Sequence, residues 1–451
     1  MRQFRYVRKF REARRKICRN SNENNSGKIM FERMDKKLLI IIAVMVLFGV
    51  VMVYSASSIQ YAKKKNDPMY KLRPDIFNVA VASLGLYIAA KIDYRKYRKF
   101  AWPFLIFAAV LLFAVWIPWI GAGEINGAQR WLDLRVAKFQ PAEIVKLALI
   151  VFLAAYLSHK GPLLKEFKRG FLVPAFVVGV LVLDIALQPS IGTAFAFAAV
   201  SAVMFYVAGV RFRYLLYVGL GAVFAFASMI AISEHGTQRI MTWLVGGDPL
   251  GDAFQVNQSL IAIGSGGLFG TGIGQGVQKL FYIPEIETDF IFAVVGEELG
   301  FLGTTSVLVL FALFAWRGLK IAMRARDDFG RNLAIGIVTM ITIHAAINIG
   351  MVLGVLPNTG VPLPFLSYGG SNLLFTMVSC GVLLNISSHV RTPLDEHLAV
   401  LDERLMEGVY ASAYSRRRNR RPFDSGVKYR PGAIEPSSGR RNIFYRNRTR
   451  S

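Results

Sequence analysis

LLIIIAVMVLFGVVMVYSASSIQYA, residues 38 to 62, runs without a single charged side chain. A helix that long exceeds the roughly 30 Å hydrocarbon core of a bilayer. It is also longer than a signal-peptide core and follows a long basic leader, so it reads as a retained membrane span. Spans of this kind recur at 38 to 58, 74 to 91, 100 to 119, 142 to 158, 171 to 188, 190 to 209, 214 to 232, 290 to 316, 332 to 355 and 370 to 389. The pattern predicts an all-α integral membrane protein of about ten transmembrane helices with one large extracytoplasmic loop, 233 to 289. Composition agrees: 451 residues, 54% of them AVILMFWYC, 18% charged, with mean hydropathy +0.40, are too apolar for an ordinary soluble domain.

Charge divides the chain further. Of the 54 Lys and Arg residues, 13 lie in residues 1 to 37 and 14 in residues 390 to 451. These two segments read as basic cytoplasmic tails flanking a membrane domain, 38 to 389, and the C-terminal one has a composition that predicts disorder. With an even number of spans both termini share a side. If that side is the cytoplasm, the inner loops carry 16 Lys and Arg against 10 in the outer ones. Lys63-Lys64-Lys65 is the basic cluster that this arrangement places outside. A net charge of +25 concentrated beside membrane spans suits anionic lipid heads, and no nucleic-acid motif accompanies it. Cys18 and Cys380 fall in a tail and in an apolar segment, so no disulfide is expected between them.

The apolar segments hold one stretch of different character, QVNQSLIAIGSGGLFGTGIGQGVQKLFYIPEIETDFIFAVVGEELG, residues 255 to 300. Seven glycines crowd between Gly264 and Gly276, the acidic turn Pro284-Glu285-Ile286-Glu287-Thr288-Asp289 follows, and an apolar helix leaves it directly. The glycine run lacks both the P-loop and the dinucleotide spacing, and it is expected to pack backbone against helices. Re-entrant or interfacial pieces are expected before it. A carboxylate where a loop enters a membrane helix meets water and lipid together, as an enzyme acting on a lipid-linked polar substrate requires. Glu297 and Glu298 lie two turns deeper, in a buried network or at a catalytic centre.

Elsewhere Pro141 suits a helix first turn, with Glu143 and Lys146 sharing one face three residues apart. The pair is either a structural ion pair or presents an anion-binding lysine. Trp131 beside Arg130 reads as an interfacial anchor. Asp184 either lines a cavity or caps a neighbouring helix, and His344 reads as a hydrogen-bonded core residue. The proline-rich loop NTGVPLPFLSYGGSN, 358 to 372, is expected to be rigid and to close the outer surface beside 255 to 289.

NGAQRW (126 to 131), FQPAEIVKLAL (139 to 149), QSLIAIGSGGLFGTGIGQGVQK (258 to 279), PEIETDFIFAVVGEELGF (284 to 301) and NIGMVLGVLPNTGVPLPFLSYGGSN (348 to 372) together resemble the SEDS family (shape, elongation, division and sporulation), most closely its division and sporulation members. The resemblance implies a ten-helix peptidoglycan glycosyltransferase that polymerises lipid II into a nascent glycan strand. It also implies a class B penicillin-binding protein as partner, with other divisome proteins. The essential aspartate of the family's PE-x-x-TDF motif matches Asp289; Arg130 and Lys146 fall at polar positions tied to activity, and Glu285, Glu297 and Glu298 at acidic ones. Glu287 stands where the family commonly has His, and Ser190 where it usually has Asp.

That chemistry needs a base for a sugar 4-hydroxyl, which Asp289 supplies, and cations for the departing lipid pyrophosphate, for which Arg130 and Lys146 are best placed. Glu285, Glu297 and Glu298 complete the expected substrate-binding set. A divalent cation, Mg or Mn, would assist, though the sequence shows no dedicated site. The expected location is the bacterial cytoplasmic membrane at the division septum. Two rivals remain open on the residues alone: a transporter that flips lipid II, and a divisome scaffold without enzymatic activity.

Overall fold

The computed structural model describes residues 34–117, 130–133, 138–188, 190–221, 254–278 and 286–390, with single positions at 119, 121, 123, 241 and 243. All belong to one compact unit, Glu12–Thr392; a second unit, Met1–Arg11 with Pro393–Ser451, lies outside the described residues, as do nearly all of the two expected tails. Ten helices organise the described chain: α1 Lys36–Lys65, α2 Leu72–Lys91, α3 Arg95–Phe113, α4 Pro141–Lys160, α5 Leu172–Leu187, α6 Ile191–Val207, α7 Phe254–Ser265, α8 Ile291–Met323, α9 Asp328–Val352 and α10 Gly370–Ser388. A short antiparallel ribbon, β1 Leu132–Asp133 with β2 Lys138–Phe139, precedes α4.

Among the described residues seven helices are long and apolar enough to cross a membrane: α1, α3 with its following turn, α4, α5 with its preceding turn, α8, α9 and α10. Helix α2 is long enough, but its first turn carries Arg73 and Asp75, and α6 is apolar but only 17 residues long. The expected span 214 to 232 lies mostly outside the described residues, which show helix over 212–221.

Local chemistry explains the ends. Asp35 caps α1 by accepting from the Leu38 amide at 3.0 Å, and Asp327 caps α9 through the Gly330 amide at 2.7 Å. Pro141 opens α4 as its spacing predicts. Lys63-Lys64-Lys65 form the last turn of α1, where cations complement the helix dipole, and Asn66 closes that helix in the left-handed region.

Helices α4 and α9 are the most enclosed, α9 packing on α4, α6 and α8. Helix α2 runs along α10, where the absence of a side chain at Gly381 lets the helix backbones approach at Leu86. Contacts between distant segments mark the two ends of the bundle. At one end the Asp35 amide donates to Ser387 and the Asp35 carboxylate pairs with Arg317, while the Tyr94 hydroxyl donates to Asp327. At the other end gather the start of α2, the turn before α8 and the loop between α9 and α10.

Helix α8 is broken at Gly300, whose φ of 64° and ψ of −156° interrupt it. The break is repaired by the glycine run. Thr271 and Gly272 amides donate to the carbonyls of Glu297 and Glu298 at 2.9 and 3.0 Å, while the amides of Phe301 and Leu302 donate to Gly267 and Leu268 at 2.8 and 3.2 Å. Packing of this run against helix backbone is therefore observed, as the glycine content suggests. A side chain on Gly270 would drive into the backbone at Glu298, and its φ of 80° disfavours one as well.

One expectation needs correcting. The proline-rich loop does more than close a surface: Val361, Leu363, Phe365 and Leu366 are all buried, and the Phe365 ring packs on Phe314 in the middle of α8. The loop enters the bundle because its polar backbone finds partners there, including the Ser367 hydroxyl for the Leu363 amide.

The backbone exchange at Gly300 predicts that Gly270→Ala destabilises the protein by about 1–3 kcal/mol through overpacking alone. Thermal unfolding in detergent should show the fall. Gly264→Ala, where the added methyl meets nothing within 4 Å, should leave the unfolding temperature unchanged.

Candidate functional site

The turn 286–289 carries Asp289, and its flanks explain its placement. Ile286 and Phe290 are buried apolar anchors at 1% and 2% exposure, so the polar residues between them are held at the mouth of the bundle. The Glu287 carbonyl accepts from the Tyr368 amide at 2.9 Å. The Asp289 carbonyl accepts from the Asn348 side chain at 2.7 Å, and the same amide nitrogen reaches the Val361 carbonyl at 2.7 Å. Asn348 thus ties α9, the turn and the inserted loop together at one fully buried point.

Asp289 and Arg130 converge on Gly360. A Cβ built on that glycine would lie 3.3 Å from Asp289 Oδ2 and 4.0 Å from Arg130 Nη1, and its φ of 62° also favours glycine. A side chain here would crowd the carboxylate, which a bare backbone avoids. Arg130 Nε is buried without a hydrogen-bond partner among the described residues. A cation and a carboxylate brought this near to one another can hold an anionic group on one side and accept a proton on the other.

Lys146 pairs with Glu143, Nζ to Oε1 at 2.8 Å, both largely buried. They line a small pocket with Ile150, Met340, His344, Thr376 and Ser379. Glu143 Oε2 and His344 Nε2 have no hydrogen-bond partner among the described residues. His344 Nδ1 contacts the Met340 carbonyl at 2.9 Å, so one ring nitrogen is anchored in the core as expected and the other is left over. The polar groups of this otherwise largely apolar lining suit a water or a polar part of a ligand.

Glu297 and Glu298 sit where the helix break is repaired. The Glu297 carboxylate accepts from the amides of Val277 at 2.6 Å and Gln278 at 3.1 Å, closing the end of the glycine run. Glu298 is fully buried and accepts from the Ser55 hydroxyl at 2.8 and 2.6 Å, linking α8 to α1. Glu285 lies outside the described residues. Asp184 accepts from Trp116 Nε1 at 3.0 Å and Gln188 Nε2 at 2.9 Å, bridging the ends of α3 and α5, and Ser190 contacts Thr193 at 2.9 Å. Among the described residues no group of three or more His, Cys, Asp or Glu side chains is placed to hold a metal ion.

Sequence reasoning did not single out Asn348, Gly360, Lys71 or Tyr368. Lys71 pairs with Glu287 at 3.4 Å and lies over the Tyr368 ring at 4.2 Å. Burial alone would lower its pKa, but Glu287, Tyr368 and Tyr61 outweigh that, and the ammonium stands above its ordinary 10.5. A raised lysine contributes stability in full below that value and loses it only as pH climbs through the raised one, so the charge persists at neutral pH. Burial likewise pushes the Tyr368 phenol up. A lone amide in an apolar helix was the one available signal for Asn348.

The model of the cell cycle protein family that includes FtsW, RodA and SpoVE matches residues 35–392. A probable peptidoglycan glycosyltransferase FtsW of Geobacter sp. (strain M18) is 40% identical over 361 residues, 80% of this chain and 98% of the relative. Stage V sporulation protein E of Bacillus subtilis (strain 168) is 40% identical over 358 residues, 79% and 98% of the two chains. Among solved structures, a chain from work on the structural coordination of polymerization and crosslinking by a peptidoglycan synthase complex is similar at a TM-score of 0.64 and 30% identity, covering 78% of this chain and 97% of that one. The rod shape determining protein RodA of Thermus thermophilus is similar at 0.60 and 28% identity, covering 80% and 98%.

The buried Lys146–Glu143 pair predicts that Lys146→Met strands a carboxylate and destabilises the protein by about 3–5 kcal/mol. Adding Glu143→Gln should recover most of the loss, read as the unfolding temperature in detergent.

Proposed function

The chain belongs to the FtsW, RodA and SpoVE family of cell cycle proteins, and from that premise we propose that it is a peptidoglycan glycosyltransferase that polymerises lipid II at the outer face of the bacterial cytoplasmic membrane. The observation that carries this reading is the meeting of Asp289 and Arg130 around the bare backbone of Gly360. The 4-hydroxyl oxygen of the acceptor sugar attacks the anomeric carbon of a lipid-linked donor. The bond from that carbon to the phosphate oxygen breaks, the electron pair leaves with the lipid pyrophosphate, and Asp289 takes the hydroxyl proton. Arg130 stabilises charge developing on the pyrophosphate, with Lys146 as its second cation. Glu285 joins the substrate-binding set, whereas Glu297 and Glu298 hold the glycine run and α1 against α8. A divalent cation, Mg or Mn, would add to this neutralisation through the phosphate oxygens.

Both tails face the cytoplasm, where their basic residues meet anionic lipid, and the end of the bundle carrying Asp289 faces outward. The partner is a class B penicillin-binding protein that crosslinks the strand, with other divisome proteins at the septum. The solved peptidoglycan synthase complex, in which polymerization and crosslinking are coordinated, supports that pairing. Gln275 is exposed in the glycine run, and Gln275→Cys in a background without Cys18 and Cys380 should react with an impermeant maleimide in intact cells. Labelling only after lysis would overturn the orientation.

Purified protein given lipid II in detergent should make glycan strands, which neither a transporter nor a scaffold can do. Asp289→Asn keeps shape and hydrogen bonding but cannot take the proton, and a loss on the order of a thousandfold is expected. Near-parental polymerisation by that variant would remove Asp289 from the role of base, and the same assay with a chelator reads the contribution of the cation.

A further inference from the structure

Contacts from three different segments bear on residues 287 and 289 of the turn that carries Asp289. Two are backbone anchors, Tyr368 N to Glu287 O and Asn348 to Asp289 O. They hold the carbonyls of residues 287 and 289. The third contact is to a side chain. Glu287, whose side chain is 8% exposed, pairs with Lys71 Nζ at 3.4 Å.

Lys71 is itself tightly situated. It is the residue just before α2, six residues beyond the end of α1 at Lys65. Its ammonium lies 4.2 Å from the centre of the Tyr368 ring and 5.4 Å from that of Tyr61, and Tyr61 stacks on Tyr70 at 5.2 Å. One cation is thus shared by a carboxylate and two aromatic faces, drawn from the end of α1, the inserted loop and the turn before α8. Removing it would leave the Glu287 carboxylate buried with no cation among the described residues.

The fold has other means of holding α1 and α2. Helix α2 is packed along α10, with Gly85 against Leu374 and Val378, and α1 is joined to α8 through Ser55 and Glu298. The bundle therefore does not rest on the ammonium box alone, and the box adds a contact that falls on the turn. We infer that Lys71 is a positioning residue for the glycosyl transfer: through Glu287 it clamps the loop between α1 and α2 onto the turn and sets the direction of the Asp289 carboxylate. Lys71 touches no reacting atom. The inference rests on the assignment of Asp289 as base, and it makes the loop between α1 and α2 a mechanical part of the site.

Lipid II polymerisation by the purified full-length protein in detergent tests it, with kcat, KM and unfolding temperature measured for each variant. A misplacement of about 1 Å costs on the order of a hundredfold, so Lys71→Met and Glu287→Gln should each lower kcat by roughly ten- to a hundredfold with KM within about threefold; Glu287→Gln, which strands no carboxylate, should retain the unfolding temperature, whereas Lys71→Met should lower it. Lys71→Glu should be at least as severe, and Lys71→Glu combined with Glu287→Lys should recover most of kcat by restoring an opposite-charge pair. Parental kcat in Lys71→Met or Glu287→Gln overturns the clamp, as does a double variant no better than Lys71→Glu. A fall in the unfolding temperature of Glu287→Gln that accounts for its lost activity also overturns it, since the role is then structural. If Lys71→Met yields no folded protein, Glu287→Gln decides alone, because it removes the pair while keeping the side chain's shape. A parental protein that makes no glycan defeats the enzymatic reading itself, and is distinguished from these outcomes by being seen before any variant is made.

Discussion

A helix inside a membrane cannot leave its backbone unpaired, and this chain breaks one of its longest helices beside its candidate site. The break at Gly300 strands two carbonyls above it and two amides below it, each costing several kcal/mol in hydrocarbon. The run from Gly266 to Gly272 supplies four backbone partners, donating to Glu297 and Glu298 and accepting from Phe301 and Leu302. The glycines are required because the exchange needs two backbones in direct contact. The turn carrying Asp289 leads into this same repaired helix, so the position of its carboxylate depends on how that loop is seated.

From that constraint the rest of the site follows. Once the glycine run is seated, Glu297 closes its end through the Val277 and Gln278 amides, and Glu298 reaches sideways to Ser55. The inserted loop fills the space beside α8 and brings Gly360 under Asp289. Asn348 then satisfies one carbonyl from each segment with a single amide group. A site on the end of a helical bundle is in this way built almost entirely from irregular backbone, with the helices acting as its frame.

The helical frame was legible in the sequence because span length and apolar content act locally. The expected spans 38 to 58, 290 to 316 and 370 to 389 correspond to Lys36–Lys65, Ile291–Met323 and Gly370–Ser388. The ends ran longer because Lys63 to Lys65 and the basic turn near Lys320 are polar yet still helical. The glycine run's packing role was readable from its composition, and the Glu143–Lys146 pair from its spacing. What could not be read was anything that depends on contacts across the sequence. The burial of the proline-rich loop needs partners from α9 and from the turn at 287. The Lys71–Glu287 pair joins residues far apart in the chain, neither of which stands in a pattern that points to the other.

The interruption in α8 also bears on how this helix enters a membrane. Phe301–Met323 alone is about 35 Å long at 1.5 Å per residue, enough for the roughly 30 Å hydrocarbon layer. The segment before Gly300 is therefore surplus to the crossing, and nearly all of it is enclosed by protein. An acidic residue at the middle of an inserting helix costs about 2.5–3.5 kcal/mol, so two carried into the hydrocarbon by a continuous α8 would oppose its partitioning into lipid. By ending the lipid-crossing segment at Gly300, the chain keeps Glu297 and Glu298 out of that toll, and the pair can be buried later, when the neighbouring segments that satisfy them have arrived.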